Sequence, residues 1–466
     1  MTQAARTARP EPFERAAREA LANTQVRANV LHATTTIRAK RALAVSEVAD
    51  WEELRDSGAG IKETALLSLD RLLVELETSV RRCGGSVHWA ADADQANMAV
   101  AQIVRANGVD EVVKVKSLAT EEIGLNEALA VHEIHALETD LAELIVQLAG
   151  ERPSHLLVPA IHKNRTEIRD LFRDRLGLDE LTNDPHALTS AARAFLRQAF
   201  LRARVAVSGA NFACADTGSV VVVESEGNGR MCTTLPEVLI TVMGIEKVLP
   251  SFRDLEVMLQ LLPRSSTGER MNPYTSIWAG TRPGDGPREF HLVLLDNGRT
   301  RALADEVGRD ALRCIRCSAC INVCPVYRQT GGHAYHTPYA GPIGAILQPQ
   351  LDGERGASAS LPFASTLCGA CADVCPVRID IPRLLVHERA KVAGGPGLPL
   401  LGRALRSRRA YEGAQRVARF AQRPFARDGW IWKFPPGPLR AWGRSRELPA
   451  VPAQTFREWW RSRERP

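Results

Sequence analysis

Apolar positions through residue 85 recur at three- and four-residue intervals. The pattern is clearest in "ETALLSLDRLLVELETSVRRCGG" (63–85), where a Gly pair supplies a helix stop. Beyond it, short β-rich runs alternate with amphipathic stretches. Strands are predicted at "SVHWA" (86–90), "EVVKV" (111–115), "EIHAL" (133–137), "HLLVPA" (155–160), "ARVAVS" (203–208) and "SVVVVE" (219–224). Helical patterns such as "DQANMAVAQIVRANG" (94–108) and "TDLAELIVQLAG" (139–150) separate the earlier ones. Such alternation implies a parallel or mostly parallel sheet covered on both faces. "HLVLLDNGR" (291–299) reads as a last strand and turn before a cysteine-rich region. The Gly/Pro-rich stretch "WAGTRPGDGPRE" (278–289) is a loop of the α/β part, and "GGPGLPLLG" (394–402) a break after the cysteines. The expected organisation is a helical segment (1–75), an α/β domain (76–300), an α-helical domain with two cysteine motifs (301–395) and a tail (396–466).

An apolar content of 45% is ample for buried cores. No apolar run reaches the length of about 18 residues that a membrane-spanning helix needs. The opening "MTQAARTARPEPFERAAREAL" has the Arg and Ala of a transit peptide, but Glu11, Glu14 and Glu19 argue for a surface helix of a cytoplasmic chain. Charge is uneven: from Lys391 onward there are 17 Lys/Arg against 5 Asp/Glu, in a chain of net charge +6. Five of the eight tryptophans (Trp430, Trp432, Trp442, Trp459 and Trp460) also lie there. A basic, aromatic tail suits nucleic acid, an anionic membrane face or an acidic partner. No nucleic-acid motif accompanies it, so a docking surface for a partner protein is expected, with peripheral attachment at the inner face of the membrane as the other use.

Seven of the ten cysteines fall between Cys314 and Cys375. Clustered C-x-x-C spacings of this kind point to metal rather than to disulfides. The first motif is Cys314-x2-Cys317-x2-Cys320-x3-Cys324-Pro325. Two-residue gaps wrap three thiolates around one [4Fe–4S] cube, and the fourth cysteine, ahead of proline, reaches the other cube of a pair. A zinc site would not explain the third close cysteine. By this crossover, cluster one takes Cys314, Cys317, Cys320 and Cys375, and cluster two takes Cys324, Cys368 and Cys371. The remaining slot of the second motif, "STLCGACADVCP", holds Ser365. Four outcomes stay open there: ligation by Ser365, by a histidine or by water, or a [3Fe–4S] form. Ser365 also reads as a helix N-cap. Between Cys324 and Cys368 lie 43 residues, an insert expected to form helix and loop over the clusters. Its His333 and His336 are expected to pack or bond to backbone, with cluster ligation as the alternative.

No P-loop, H-E-x-x-H or G-x-S-x-G is present, and "SGAGIK" (57–62) lacks both the preceding strand and the third glycine of a dinucleotide site. In the α/β part, "ESEGNGR" (224–230) follows a strand at the end where open α/β sheets hold ligands. Glu224, Glu226, Asn228 and Arg230 are candidates there for binding or activating a small carboxylate or phosphate, and a tight turn is the equal alternative. Cys83, Cys214 and Cys232 lie outside the motifs, and Cys214 and Cys232 read as small packing residues.

Several segments together resemble the lactate utilization protein B family. They are "EEIGLNEAL", "ETDLAELIVQLAGERPSHLLVPAIHKNR", "GANFACADTGSVVVVESEGNGRMCTTLPEVLITVMGIEKVLPS", "GPREFHLVLLDNGR" and the run from "CIRCSACINVCPVYRQTGGHAYHTPYAGPIGAIL" to "LCGACADVCPVRIDIPRLL". The likeness covers roughly residues 60–395. It implies a LUD-type α/β domain of the sugar-isomerase and CoA-transferase type, followed by an α-helical ferredoxin-type domain with two iron–sulfur clusters. It carries ligation onto the seven motif cysteines, so the missing thiol belongs to the family pattern. Ala142 stands where the family has glycine. The resemblance implies a subunit of an L-lactate-oxidising complex that works with sister subunits and an electron acceptor. The alternatives are an acyl- or CoA-transferase-like activity with Glu226 as its acid, and an iron–sulfur redox sensor docking through the tail.

Overall fold

The computed structural model describes residues 11–155, 158–353, 356–392, 402, 405–431 and 448–463. The chain forms two compact units, Met1–Val392 and Ala393–Pro466.

Ten strands belong to the first unit: β1 (Ser86–Ala90), β2 (Glu111–Lys114), β3 (His135–Glu138), β4 (Val205–Gly209), β5 (Phe212–Cys214), β6 (Val220–Glu224), β7 (Val238–Gly244), β8 (Val248–Leu249), β9 (Tyr274–Trp278) and β10 (Glu289–Leu295). Six of them make one sheet in the order β1-β10-β7-β4-β2-β3, with every pairing parallel. The central strands β4 and β7 are buried along their whole length, as a parallel strand covered on both faces requires. Successive side chains alternate between two cores. Val113, Ala206, Leu239, Leu292 and Leu294 face one, and Val112, Val207, Ile240, Val293 and Leu295 face the other.

The predicted strands form, with two corrections. Residues 155 and 158–160 hold no strand, and Ser154 bonds the Pro159 carbonyl through both its amide and its hydroxyl; Leu156 and Leu157 lie outside the described residues. "SVVVVE" forms β6, but in a separate mixed sheet of order β8-β5-β6-β9, where it runs antiparallel to β5 and β9. Strand β7 is an addition, since its run VLITVMG has no alternation to mark it as a strand.

The helices of the first unit begin with α1 (Phe13–Ala22), α2 (Thr24–Ser46), α3 (Trp51–Leu67), α4 (Leu69–Arg82), α5 (Ala93–Ala106), α6 (Leu118–Glu122), α7 (Leu125–Val131) and α8 (Leu141–Ala149). They continue as α9 (Arg165–Leu176), α10 (Pro185–Arg202), α11 (Asn228–Thr234), α12 (Asp254–Ser266), α13 (Arg299–Ala304), α14 (Ala319–Val323), α15 (Tyr327–Thr330), α16 (Gly341–Asp352), α17 (Ala370–Asp373) and α18 (Ile381–Val392). Helices α4, α8 and α10 cover one face of the large sheet, and α5 and α7 the other. The third core holds the cysteines of both motifs except Cys368, and α1, α2 and α3 contribute to it. The expected surface helix at the start therefore has a buried side: Phe13 and Ala16 are covered, and the Phe13 ring lies 4.9 Å from that of Tyr335.

"SGAGIK" lies within α3. A Cβ on Gly58 would come 2.3 Å from Leu261 Cδ1 of α12, so this glycine allows two helices to close on each other. No helix among the described residues is long and apolar enough to cross a membrane.

In the second unit, a helix at Arg408–Ala421 is held to one at Phe456–Ser462 by Arg419–Glu458 (3.0 Å) and Arg461–Glu412 (2.8 Å). Phe456, Trp459 and Trp460 form an exposed aromatic group there. Trp432 and Trp442 lie outside the described residues.

Candidate metal centre

The two cysteine motifs fold as copies of one loop. In the first, Arg316 and Ser318 take the left-handed conformation (φ 61° and 64°) on either side of Cys317. In the second, Leu367 and Gly369 do the same (φ 56° and 88°) on either side of Cys368. Left-handed backbone is unfavourable for residues with a Cβ, so its recurrence at matching offsets marks a shape that both loops are built to hold. The curl turns the intervening side chains toward a common interior.

All ten cysteines are free thiols. Cys314, Cys317, Cys320 and Cys375 line one cavity together with Ile343, Val377 and Ile381. Cys375 of the second motif thus joins three thiols of the first. Cys324 of the first motif lies within electrostatic reach of Cys368 and Cys371 of the second. Six of the seven are buried, and Cys368 is exposed. Burial, followed by the neighbouring thiols, pushes Cys317 and Cys371 up to about 12 and Cys320 well above the usual thiol range. Thiols crowded in this way ionise readily only beside a cation, which deprotonates a coordinating thiol outright. Backbone amides already point at three of the sulfurs: Arg316 to Cys314 (3.4 Å), Tyr327 to Cys324 (3.5 Å) and Ile379 to Cys375 (3.4 Å). The donor set and its N–H···S bonds fit two iron–sulfur clusters.

Ser365 occupies in the second loop the place that Cys314 occupies in the first. The Leu367 amide donates to Ser365 Oγ at 3.1 Å, as the Arg316 amide does to Cys314 Sγ. The N-cap expectation is corrected: α17 begins at Ala370 behind Gly369, too far along the chain for Ser365 to cap it. His333 Nε2 bonds the Arg152 carbonyl (2.9 Å), and its ring packs on His162. His336 is exposed in a left-handed turn residue.

Basic side chains surround the four-thiol group. Arg55 donates to the carbonyls of Cys375 and Asp373 (both 2.8 Å), and Arg41 to that of Val374 (3.0 Å). Lys62, fully buried, donates to the carbonyl of Glu246. Glu246 follows β7 and binds Arg299 and Arg316 (3.1 Å), while Arg316 stacks over Tyr339 at 4.8 Å. Burial lowers Lys62 to about 8 and Lys247 to about 7, and the Arg316 charge adds to both shifts. The two arginine pairs hold Glu246 down to about 2 against its burial. Sequence reasoning missed this group. Its signal lies in α3, whose buried stripe Trp51, Arg55, Gly58, Ala59, Lys62 and Leu66 carries two cations at positions where an amphipathic helix has apolar residues.

The remaining candidates gather beyond the ends of β2 and β3. The connection after β2 runs outward to β3, while that after β4 returns toward β7, which makes β2/β4 the switch point of the sheet. Lys114 ends β2 and pairs with Glu138 at 2.8 Å, both buried. Burial and the Glu121 carboxylate raise Glu143 to about 8, and Lys116 lies 3.5 Å from it. Although β6 lies in the small sheet, the loop after it lands here. Glu226 accepts from the Leu141 amide (3.1 Å), and partial burial with Asp140 beside it raises Glu226 to about 7. Asn228 donates to Thr139 Oγ1 (3.3 Å). Glu224 instead accepts from the amides of Gly227 and Arg230 (both 2.8 Å), which makes it the turn's own clamp, and Arg230 lies over the Tyr274 ring. Cys214 and Cys232 are wholly buried packing residues, both pushed up to about 12 by that burial. Cys83 ends α4, half-buried.

Fold and site together define an iron–sulfur protein built on an α/β domain. Residues 73–295 match the model of the LUD domain, and residues 310–379 that of the 4Fe-4S dicluster domain, which indicates two iron–sulfur clusters. The chain is 42% identical to lactate utilization protein B of Bacillus licheniformis over 461 residues, covering 96% of both chains. It is 40% identical to lactate utilization protein B of Bacillus subtilis over 467 residues, covering 97% of both. A solved structure of a DUF162 family protein from Deinococcus radiodurans matches 49% of this chain and 98% of its own, with 13% identity and a TM-score of 0.28. The chain belongs to the lactate utilization protein B family.

Proposed function

We propose that this chain is the iron–sulfur electron-transfer subunit of a multisubunit complex that oxidises L-lactate to pyruvate. Cys314, Cys317, Cys320 and Cys375 hold the first cluster. Cys324, Cys368 and Cys371 hold the second, with Ser365 Oγ as its fourth ligand. Such clusters, when bound, carry electrons one at a time. The observation that supports this reading best is that Cys375 of the second motif lines one cavity with three thiols of the first, between loops that carry left-handed residues at matching offsets. Such an exchange keeps two clusters close together, as a relay requires. The names of the relatives support lactate as the substrate class. The sister subunits supply the hydride-accepting chemistry, and the exposed aromatic and basic second unit serves as a docking surface for them or for the membrane face.

The test is to co-express the chain with its sister subunits and add L-lactate anaerobically. A reduced-cluster EPR signal from this chain should appear. Full lactate turnover in a complex whose chain carries Cys324→Ala and lacks cluster two would contradict the reading.

The position of Glu226 favours a second activity, acyl- or CoA-transferase-like, with Glu226 as its acid. Glu226→Gln should then abolish that turnover while leaving the cluster spectra intact; unchanged turnover excludes it.

A further inference from the structure

Five basic side chains converge on the four-thiol group from outside its own loops or from its first turn. Arg55 donates to the Cys375 carbonyl (2.8 Å) and Arg41 to that of Val374 beside it (3.0 Å); Arg316, next to Cys317, bonds Glu246 Oε1 (3.1 Å), Lys62 donates to the Glu246 carbonyl, and Lys247 follows it, which brings all five within electrostatic reach of Cys314 or Cys375. They come from four places: α2, α3, the turn after β7 and the first cysteine loop. Glu246 and Glu52 answer part of this charge, through Arg316 (3.1 Å) and Arg55 (2.7 Å), and a cationic surplus faces the sulfurs. The other thiol group is surrounded differently. Buried Tyr327 and Tyr335 lie beside Cys324, and in the second loop Arg389 donates to the Ser365 carbonyl (3.0 Å).

We propose that Arg41, Arg55, Lys62 and Arg316 are tuning residues that raise the reduction potential of the centre held by Cys314, Cys317, Cys320 and Cys375 and leave the second centre largely untouched. This rests on the cysteine assignment of the proposed function. One-electron reduction adds one negative charge to a bound cluster, and net charge and nearby dipoles are main determinants of its potential. Fixed cations in a low-dielectric interior favour the reduced form more strongly than surface charges do, and salt screens them little. The N-terminal helices and the α/β domain thereby act on the cofactor without ligating it.

The test is EPR-monitored redox titration of the anaerobically purified full chain, alone and as Lys62→Met, Arg41→Gln, Arg41→Lys and Lys40→Gln. The first centre is identified as the signal that survives Cys371→Ala. Lys62→Met and Arg41→Gln should each shift the one-electron equilibrium of that signal about tenfold toward oxidised, a fall of about 59 mV, at unchanged iron content. Arg41→Lys should restore it, and the exposed neighbour change Lys40→Gln should leave it alone. Arg41 is only half-buried, so its variant keeps the test open if Lys62→Met fails to fold. Unchanged first-centre potentials with both clusters present would overturn the tuning role alone. Absence of two clusters from the parent chain would overturn the assignment beneath it.

Discussion

The backbone N–H of Leu367 donates to Ser365 Oγ at 3.1 Å, reproducing in the second cysteine loop the bond that Arg316 makes to Cys314 Sγ in the first. The seven-cysteine pattern therefore has an eighth position of matching geometry, filled by an oxygen. The serine is held by the loop fold itself, independent of any helix.

Ser365→Cys should supply a fourth thiolate to the second centre. A thiolate in place of the Ser365 oxygen changes the ligand type at equal charge, and ligand type is a determinant of a cluster's potential, so redox titration should show the second-centre signal moving and the first unchanged. An unaltered second signal would mean that the open slot lies elsewhere.

The crossover makes a prediction that chain order alone would reverse. Cys375→Ala, in the second motif, should cost the first centre, and Cys324→Ala, in the first motif, should cost the second. Each variant should lose roughly half the iron, and the surviving EPR signals should be complementary. Loss of the same signal from both variants would exclude the exchange.

The two glycines of "SGAGIK" should part company. Gly58→Ala drives a Cβ against Leu261 and should destabilise the protein by about 1–3 kcal/mol. Gly60 faces open space on the same helix, so Gly60→Ala should stabilise by about 0.5–1 kcal/mol. Thermal unfolding of the two variants distinguishes a packed helix, with opposite signs, from a ligand loop, with two losses.

Glu143 gives a pH dependence of definite sign. Its folded value of about 8 lies above the ordinary carboxyl value, so the fold favours the neutral form. Its contribution is complete below about pH 4.5 and is lost as pH rises toward 8. Glu143→Gln stays neutral, so its stability relative to the parent should grow across that window and level off above it, by on the order of 1 kcal/mol or more. Urea unfolding of both proteins at pH 5, 7 and 9 measures the difference; a gap that shrinks with pH would contradict the burial argument.

Much of this was legible in the residues. The valine-rich runs of β2, β4 and β6 and the C-x2-C spacings each follow from local chemistry. What escaped depends on contacts between distant segments. The run at 155–160 is as apolar as a strand, yet Ser154 at its head bonds the Pro159 carbonyl instead of a neighbouring strand. β6 is a strand in any reading, but only its partners β5 and β9 decide that it leaves the main sheet. Arg55 and Lys62 look like solvated helix charges until α3 is placed against the cysteine loops, because a buried cation and an exposed one are the same letter. Ser365 was recognisable as the empty slot, and the left-handed residues beside it showed that the slot keeps its ligand shape.

Iron and acid-labile sulfide analysis, combined with EPR, of anaerobically purified full-length protein bears most directly on the whole account. Two iron–sulfur clusters per chain, with two separable signals on redox titration, is the predicted result. Zinc at the cysteines, or thiols free of metal, would contradict it.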